Sequence, residues 1–409
     1  MSLPETTRAA RTASLAVFGV FATSGFVFAS WMSRLPAIRD ALGLTPGQMG
    51  LVLLVGSAGS IIALPLTGSV VHRIGTQRTT RLAALLSATG FVAAALALGA
   101  GSAPLVAGCL FVATMGIGAW DVAMNLQGTV VEHDLGRAIM PRFHAGFSLG
   151  AVAGAAGGAL AAAAGLPAQS HIIAAVAVAV GAVLWLTGHY LPDGAMIATA
   201  GHTDPGGGAP HRALAAWTEP RTLMIGLMVL AAALTEGSAN DWLALSVVDG
   251  FTTSDAVGAL AFGLFVASMT AMRFAGTRLL DHFGRVPVLR LCASLALLGL
   301  VAFALAPSFP LAVVGIVLWG FGAALGFPVG MSAASDDPTR SAARVSVVSS
   351  IGYIAFLAGP PVLGLLADYV GYRMALLTIA VPLVLSLILS SVAAPLPASQ
   401  GGTAPGHAR

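Results

Sequence analysis

The sequence contains no lysine and little charge of either sign. Charged residues make up 9% of the 409 residues, and all 19 basic side chains are arginine. A soluble domain carries about 25% charged residues, so this composition excludes an ordinary water-soluble fold. The formal net charge of +3 is too small to indicate a nucleic-acid partner. With 57% hydrophobic residues and a mean hydropathy of +0.90, the chain is predicted to be solvated by lipid.

Cysteines and the motifs of cofactor chemistry are also scarce. Cys109 and Cys292 both lie inside apolar runs, which excludes a disulfide framework. No acidic or histidine cluster has metal-ligand spacing, and no glycine-rich stretch has the context of a nucleotide-binding loop. We therefore expect no metal, no cofactor and no enzymatic activity, so a membrane enzyme or sensor is the least favoured class.

Apolar segments long enough to cross a bilayer recur along the chain. A membrane-spanning helix needs about 20 residues. Twelve such segments fall near 13–33, 48–70, 80–99, 104–127, 143–164, 171–191, 222–245, 257–279, 287–306, 309–332, 344–366 and 373–393. The predicted organisation is a cytoplasmic N-terminus over 1–12, six-helix bundles over 13–191 and 221–393, a cytoplasmic linker over 192–220 and a disordered cytoplasmic tail over 394–409.

The arginines predict the orientation of these spans. With the N-terminus inside, fifteen arginines fall on the cytoplasmic side, against Arg34, Arg39 and Arg373 on the other. Such a bias is typical of inner-membrane proteins, whose cytoplasmic loops are rich in arginine and lysine. We therefore expect an integral protein of the bacterial plasma (inner) membrane with both termini in the cytoplasm.

The two sets of six spans are related to each other. Gly50 and Gly68 bound the second span, and Gly258 and Gly276 bound the eighth at a constant shift of 208 residues. A repeat of this kind is typical of transporters built from two similar halves. The sequence therefore predicts an all-α membrane protein of twelve helices in two pseudo-symmetric six-helix bundles.

One loop carries a specific resemblance. The segment GSVVHRIGTQR (68–78) resembles the loop between the second and third helices of the major facilitator superfamily, although His72 stands where that family usually has aspartate. The duplicate GTRLLDHFGR (276–285) is similar. The resemblance implies the major facilitator fold and a cytoplasmic latch made of Gly68, Arg73, Gly75, Arg78, Asp281, Gly284 and Arg285. Asp121 is a candidate for the missing carboxylate of this latch.

A narrower resemblance concerns three further stretches. WMSRLPAIRDALGLTPGQMG (31–50), DVAMNLQG (121–128) and FHAGFSLG (143–150) resemble a bacterial branch of that family, which includes the rhizopine-associated, Mos-type membrane proteins. This resemblance implies a small polar solute that is sugar-like or cyclitol-like.

Ionisable residues inside the spans are candidates for function, because lipid makes them costly to keep. Glu236 is the proton-coupling candidate, since its pKa would change between water and an apolar cavity. Asn240, four residues later, shares its helix face. Asp241 lies about 140° around the helix from Glu236 and is expected near the helix end.

Other residues are candidates for lining a solute cavity. They are Trp31, Arg34, Trp120, Asp121 and Asn125, together with Asn240 and Asp241. Arg34 could pair with Asp241 as an outer gate or attract an anionic solute, and an interfacial tryptophan beside a snorkelling arginine is the alternative. For Arg273 we expect a pair with Asp281 or a position at the membrane boundary, and for His144 no special role.

These observations favour a secondary active transporter that works by alternating access, as a monomer in lipid, on a small polar solute and coupled to protons. The alternative is proton-driven efflux of amphipathic drugs. Family exporters often carry a glycine-rich signature with proline in the fifth span, whereas GAVAGAAGG (150–158) has no proline. The exporter alternative is therefore less favoured.

Overall fold

Helices make up the regular structure of the described residues. A computed structural model describes residues 5–136, 139–193, 215–337 and 340–396. The helices are α1 (Glu5–Met32), α2 (Leu35–Leu42), α3 (Pro46–Ile74), α4 (Thr76–Gly99), α5 (Ala103–Leu135), α6 (Met140–Ala163), α7 (Ala168–Leu186), α8 (Pro220–Gly250), α9 (Asp255–Phe283), α10 (Arg285–Leu305), α11 (Phe309–Ala323), α12 (Gly326–Ala334), α13 (Ser341–Leu377) and α14 (Ala380–Leu389). Most of the predicted linker (194–214) and tail (397–409) lies outside the described residues.

Eleven helical segments of the described chain are long and apolar enough to cross a membrane. The first helix begins at Glu5, so residues 5–12 extend the first predicted span instead of preceding it. The last apolar segment, 343–393, is 51 residues long. Gly371 interrupts it with a φ of +75°, which only glycine adopts readily.

Glycines allow the helices of the first half to approach closely. A Cβ at Gly25 would overlap the backbone of Phe147, and one at Gly150 would overlap the backbone of Ala22, so α1 and α6 touch along their backbones. Gly154 meets Phe26 in the same way. The small residues along α6 thus form a packing surface, as expected for membrane helices.

The two halves repeat one scheme of helix pairing. In the first half α1 packs on α6, both α3 and α4 pack on α5, and α7 packs on α1 and α4. In the second half α8 packs on α13, both α9 and α10 pack on α11, and α14 packs on α8 and α10. The repeated glycines of the sequence therefore correspond to a repeated arrangement of helices.

The helix ends define two faces of the molecule. The terminal face is the end where α1 and α8 begin, together with Gly75, Gly284 and residues 335–337. The distal face is the opposite end, formed by residues 33–45, 100–102, 164–167, 251–254 and 306–308 together with Gly371. These names carry no assumption about which face is cytoplasmic.

The halves contact each other mainly through α3 with α13 and α6 with α9. A Cβ at Gly50 would collide with the carbonyl of Pro360, and one at Gly263 would lie against Ala155. All four residues lie in the distal portions of their helices. The halves therefore meet at the distal face.

Candidate functional site

Glu236 and Arg273 form an ion pair between α8 and α9. Arg273 Nη2 donates to the two carboxylate oxygens at 3.2 and 3.1 Å, and Nε donates to the carbonyl of Ala324 at 3.3 Å. That carbonyl lies at the break between α11 and α12. The expected pair with Asp281 is wrong, because eight residues of α9 separate the two side chains by about 12 Å along the helix, and Asp281 is exposed.

Asp121 and Asn125 form a second polar cluster, on α5 of the first half. The Asn125 amide donates to the Asp121 backbone carbonyl at 2.9 Å and to its carboxylate at 3.3 Å. The two residues therefore share one helix face, as their spacing predicts. Tyr353 on α13 interacts electrostatically with Asp121. This cluster thus faces the second half of the molecule.

The two clusters lie at similar depth. Asp121, Arg273 and Tyr353 each stand 18 residues from the distal ends of their segments at Ala103, Asp255 and Gly371. At 1.5 Å per residue that depth is about 27 Å. The side chains of Glu236 and Arg273 are 22% and 33% exposed, so both are partly accessible to solvent at this depth.

Two of the predicted cavity residues are part of the hydrophobic core instead. Trp31 and Trp120 are each 2% exposed. Trp31 packs its ring against Phe91 at 5.4 Å between centroids, and Trp120 lies beside Ser87 between α4, α5 and α7. Burying a large apolar ring inside a half is more favourable than exposing it to a polar space. The prediction of a cavity position is therefore wrong for both.

Arg34 has a structural position at the distal face. It is 3% exposed and donates to the carbonyls of Gly158 at 3.3 Å and Leu166 at 2.7 Å, at the end of α6. Helix ends leave carbonyls unpaired, and a guanidinium satisfies them. Burial lowers the pKa of Arg34. The expected gate between Arg34 and Asp241 is wrong, because Arg34 is held inside the first half.

Asp241 lies in the interior of α8, which continues to Gly250. The expected position near the helix end is therefore wrong. Asp241 and Asn240 are both partly exposed, and neither side chain has a hydrogen bond to another described residue. Their assignment to a solute cavity stays a prediction.

An ionic cluster joins the two halves at the distal face. Arg39 on α2 forms ion pairs with Asp249 on α8 and with its neighbour Asp40. It also donates to the hydroxyl of Tyr372 at 3.2 Å. Burial opposes the charge on Arg39, but the hydrogen bonds to Asp249 and Tyr372 outweigh that cost and raise its pKa. We call Arg39, Asp249 and Tyr372 the distal lock.

A helix cap also joins the two halves at the distal face. The N–H of Gly47, in the first turn of α3, donates to the Asp368 carboxylate of α13 at 3.1 Å. An anion is stabilised at a helix N-terminus by the unpaired N–H groups and the helix dipole. The α3–α13 contact thus has a polar end as well as the close approach at Gly50.

Comparison with known proteins identifies the family. Residues 225–409 match the Major Facilitator Superfamily sequence profile. An uncharacterized MFS-type transporter of Yersinia pestis is 30% identical over 85% of this chain and 87% of its own. The chain belongs to the major facilitator superfamily. Uncharacterized transporter y4wD of Sinorhizobium fredii is 32% identical over 91% of this chain and 96% of its own length.

The narrower resemblance is confirmed as well. Membrane protein MosC of Rhizobium meliloti is 28% identical over 88% of this chain and 84% of its own. As a member of this superfamily, the chain is an integral membrane transporter and not an enzyme. Among solved structures, the nucleoside transporter NupG has a TM-score of 0.75 at 14% identity, covering 93% of this chain and 99% of its own. That similarity concerns the fold alone.

The predicted latch loop of this superfamily member contains a carboxylate from an unexpected place. Gly75 has a φ of +84° and connects α3 to α4. Asp193, after α7, accepts from the Thr76 N–H at 2.8 Å and from the Thr76 hydroxyl at 2.6 Å. Asp121 bonds within its own helix instead, so the suggestion that it replaces the missing aspartate is wrong.

The other latch residues of this loop are not packed against the second half. Arg73 and Arg78 are exposed, and a Cβ at Gly68 would meet no atom within 4 Å. Their role as a latch therefore stays a prediction.

The duplicate loop has a similar backbone and an internal ionic network. Gly284 has a φ of +79° between α9 and α10. Arg285 and Arg221 bind the two oxygens of Asp336 at 2.6 and 2.9 Å, all within the second half. Asp281 is exposed. The role of Asp281, Gly284 and Arg285 as a latch between the halves also stays a prediction.

Several of these residues could not be found from the sequence. Arg39, Asp249 and Asp368 lie near helix ends, where charge is ordinary, and only the tertiary fold brings them together. Tyr353 lies in an apolar run that gives no sign of facing Asp121. One feature of the sequence could have indicated the ion pair. A charged residue inside a span, such as Arg273, needs a partner of opposite charge, and Glu236 is the nearest acid at similar depth.

Proposed function

We propose that the chain is a secondary active transporter that moves a small polar solute across the bacterial inner membrane by alternating access. In this proposal the segment 343–393 turns back at Gly371, so the spans number twelve and form two pseudo-symmetric six-helix bundles. The repeated helix pairing supports this layout. The arginine bias favours a cytoplasmic terminal face, and the transporter works as a monomer.

The observation that carries the proposal is the position of the polar clusters relative to the closure. Glu236 with Arg273 and Asp121 with Asn125 come from opposite halves, while the packing between the halves lies toward the distal face. A solute could then enter from the terminal face and contact both halves. Rocking of the halves would close that face and open the distal one.

Proton coupling would use the Glu236–Arg273 pair. A guanidinium beside a carboxylate favours the ionised acid, whereas an apolar environment favours the protonated one. Closure of the cavity removes water from Glu236, and protonation would then release Arg273. The proton and the movement of the halves are coupled in this way because each changes the environment of the same carboxyl group.

The solute would be hydroxylated and of sugar or cyclitol size. Asp121, Asn125, Asn240 and Tyr353 offer hydrogen-bond acceptors and donors that match hydroxyl groups. Solved structures of similar fold include a nucleoside transporter and a fucose:proton symporter. Nucleosides and fucose are both polar, hydroxylated solutes.

The test replaces Glu236 by Gln in protein reconstituted into liposomes. Solutes are first selected by thermal shift on purified protein from sugars, cyclitols, amino sugars and cationic dyes. Proton-driven accumulation of the selected solute should be abolished in the variant, while exchange of labelled for unlabelled solute persists. The control is Asp134→Asn, which removes an exposed carboxylate at the terminal face.

Unchanged accumulation in the Gln variant would remove Glu236 from the coupling mechanism. Stabilisation by cationic dyes, and by no hydroxylated compound, would instead favour the efflux alternative.

A further inference from the structure

Arg273 has hydrogen-bonding capacity that the protein leaves unused. Its contacts to Glu236 and Ala324 employ Nη2 and Nε, and Nη1 makes no hydrogen bond to a described residue. The side chain is one-third exposed. A guanidinium has five N–H donors in a fixed fork that fits a carboxylate. The edge of the guanidinium at Nη1 can therefore donate hydrogen bonds to an oxyanion that approaches from the solvent.

His144 faces this edge from the other half. It lies in the second turn of α6, is exposed, and interacts electrostatically with Arg273 on α9. Phe21 packs edge-on to the imidazole at 5.2 Å between ring centroids, which orients the ring. The helices α6 and α9 are one of the two main pairs through which the halves contact each other. Arg273 and His144 therefore lie at similar depth, 18 and 19 residues from the distal ends of α9 and α6. In the proposed transport cycle they stand on opposite sides of the solute opening.

Closing an opening between two basic side chains creates no favourable interaction between them. An anion between them changes this, since it attracts Arg273 and accepts a hydrogen bond from the imidazole. We propose that Arg273 and His144 form an anion clamp that binds a carboxylate of the transported solute, so that the solute is a hydroxylated organic acid. This proposal rests on the transport function proposed above and specifies its substrate class.

The clamp gives the Glu236 carboxylate a defined role. Glu236 and the solute carboxylate compete for Arg273, so a proton on Glu236 favours binding of the solute. Other ionisable side chains near this level include Asp121 and Tyr353, which interact electrostatically with each other, and the exposed Arg142, two residues before His144 on α6. Asp121 repels a carboxylate, so the acid end of the solute would point to Arg273 and its hydroxyl groups to Asp121 and Asn125.

The experiment measures binding of matched acid and neutral probes to the full-length protein by isothermal titration at one fixed pH near 7. The pairs are glucuronate with glucose, galacturonate with galactose, and gluconate with sorbitol. At least one acid should bind the wild type roughly tenfold or more tighter than its neutral partner, as expected for a charge-assisted contact.

Variants separate the clamp from general effects of charge. Arg273→Gln should abolish the preference for the acid, measured as the ratio of acid to neutral affinity, and His144→Gln should reduce that ratio. Arg278→Gln, which removes an exposed arginine from the same helix, should change neither. Glu236→Gln keeps Arg273 in place and should raise the affinity for the acid, because it removes the carboxylate that competes for Arg273.

A panel in which no acid exceeds its neutral partner, including one in which neither binds, overturns the clamp. So does an acid preference that survives in the Arg273→Gln variant, or an unchanged affinity for the acid in the Glu236→Gln variant if Arg273→Gln does not fold. A neutral sugar accumulated by a proton gradient through Glu236 would leave the transport proposal standing and refute the clamp alone.

Discussion

The two faces of the molecule use charge in opposite ways. At the distal face, Arg39 pairs with Asp249 and the Asp368 carboxylate caps α3, so charges connect one half to the other. At the terminal face, Asp336 pairs with Arg285 and Arg221, so the charges stay inside one half. Between described residues, the hydrogen bonds that cross from half to half are those of the distal face.

This difference indicates which face is closed. Ion pairs within a half move with it as a rigid unit and place no constraint on the other half. Ion pairs between the halves break when the halves separate, so they stabilise one conformation against another. The distal lock and the close approach at Gly50 therefore favour the conformation seen in the structure. The ion pairs at the terminal face do not change the balance between conformations.

The largest effect is expected from a substitution that prevents α3 and α13 from packing together at the distal face. In Gly50→Leu the new side chain meets the backbone of Pro360 and Pro361, which cannot move aside locally. Overpacking of this size costs about 1–3 kcal/mol, equivalent to roughly fivefold or more in the population of the distally closed state. Solute exchange in liposomes should fall by a similar factor.

Gly68→Leu is the matched control on the same helix, because a Cβ there meets no atom in this state. Cysteine labelling of the distal face should increase in Gly50→Leu and not in Gly68→Leu. Equal labelling in the two variants would show that the α3–α13 contact does not close the distal face.

A smaller effect is expected from the distal lock. Arg39→Gln removes the charge that joins α2 to α8, and Asp249→Asn removes its partner. A pair with this partial exposure contributes about 1 kcal/mol or less, so labelling of the distal face should rise up to about fivefold. The double variant should resemble either single one, because both break the same interaction. Additive effects in the labelling assay would exclude a direct coupling.

The smallest effect concerns the terminal face and its stability. Glu219 precedes α8, and the hydrogen bond from Arg344 lowers its pKa below the usual 4.5. A lowered pKa stabilises the fold above pH 4.5, and this contribution is lost as the pH falls through the folded pKa. The melting temperature should therefore decrease below pH 4.5 less steeply in Glu219→Gln than in the wild type. Distal labelling should stay the same, and a change in it would link the terminal pairs to gating.

The sequence predicted the repeated spans and the polar face of α5 because both follow from local periodicity. Hydropathy reports lipid-length helices, and spacing of four residues reports a shared helix face. Trp31, Trp120 and Arg34 were misplaced for one common reason. An amphipathic residue in or beside a span can face lipid, solvent or a neighbouring helix, and only tertiary packing decides between them.

The partners of the polar side chains also could not be predicted from local sequence patterns. Glu236 was recognised as costly in lipid, but Arg273 was matched to the acid nearest in sequence, Asp281. Depth and helix direction favour the pair between neighbouring helices instead. Asp193 supplies the carboxylate that the loop around His72 lacks, from a position more than a hundred residues away.

Distances between spin labels on the two faces test the central claim most directly. In protein lacking Cys109 and Cys292, labels at positions 41 and 254 report the distal face, and labels at 78 and 278 report the terminal face. Alternating access predicts that Gly50→Leu lengthens the distal distance and shortens the terminal one in the same molecules, relative to the parent. Distal lengthening with an unchanged terminal distance would contradict it.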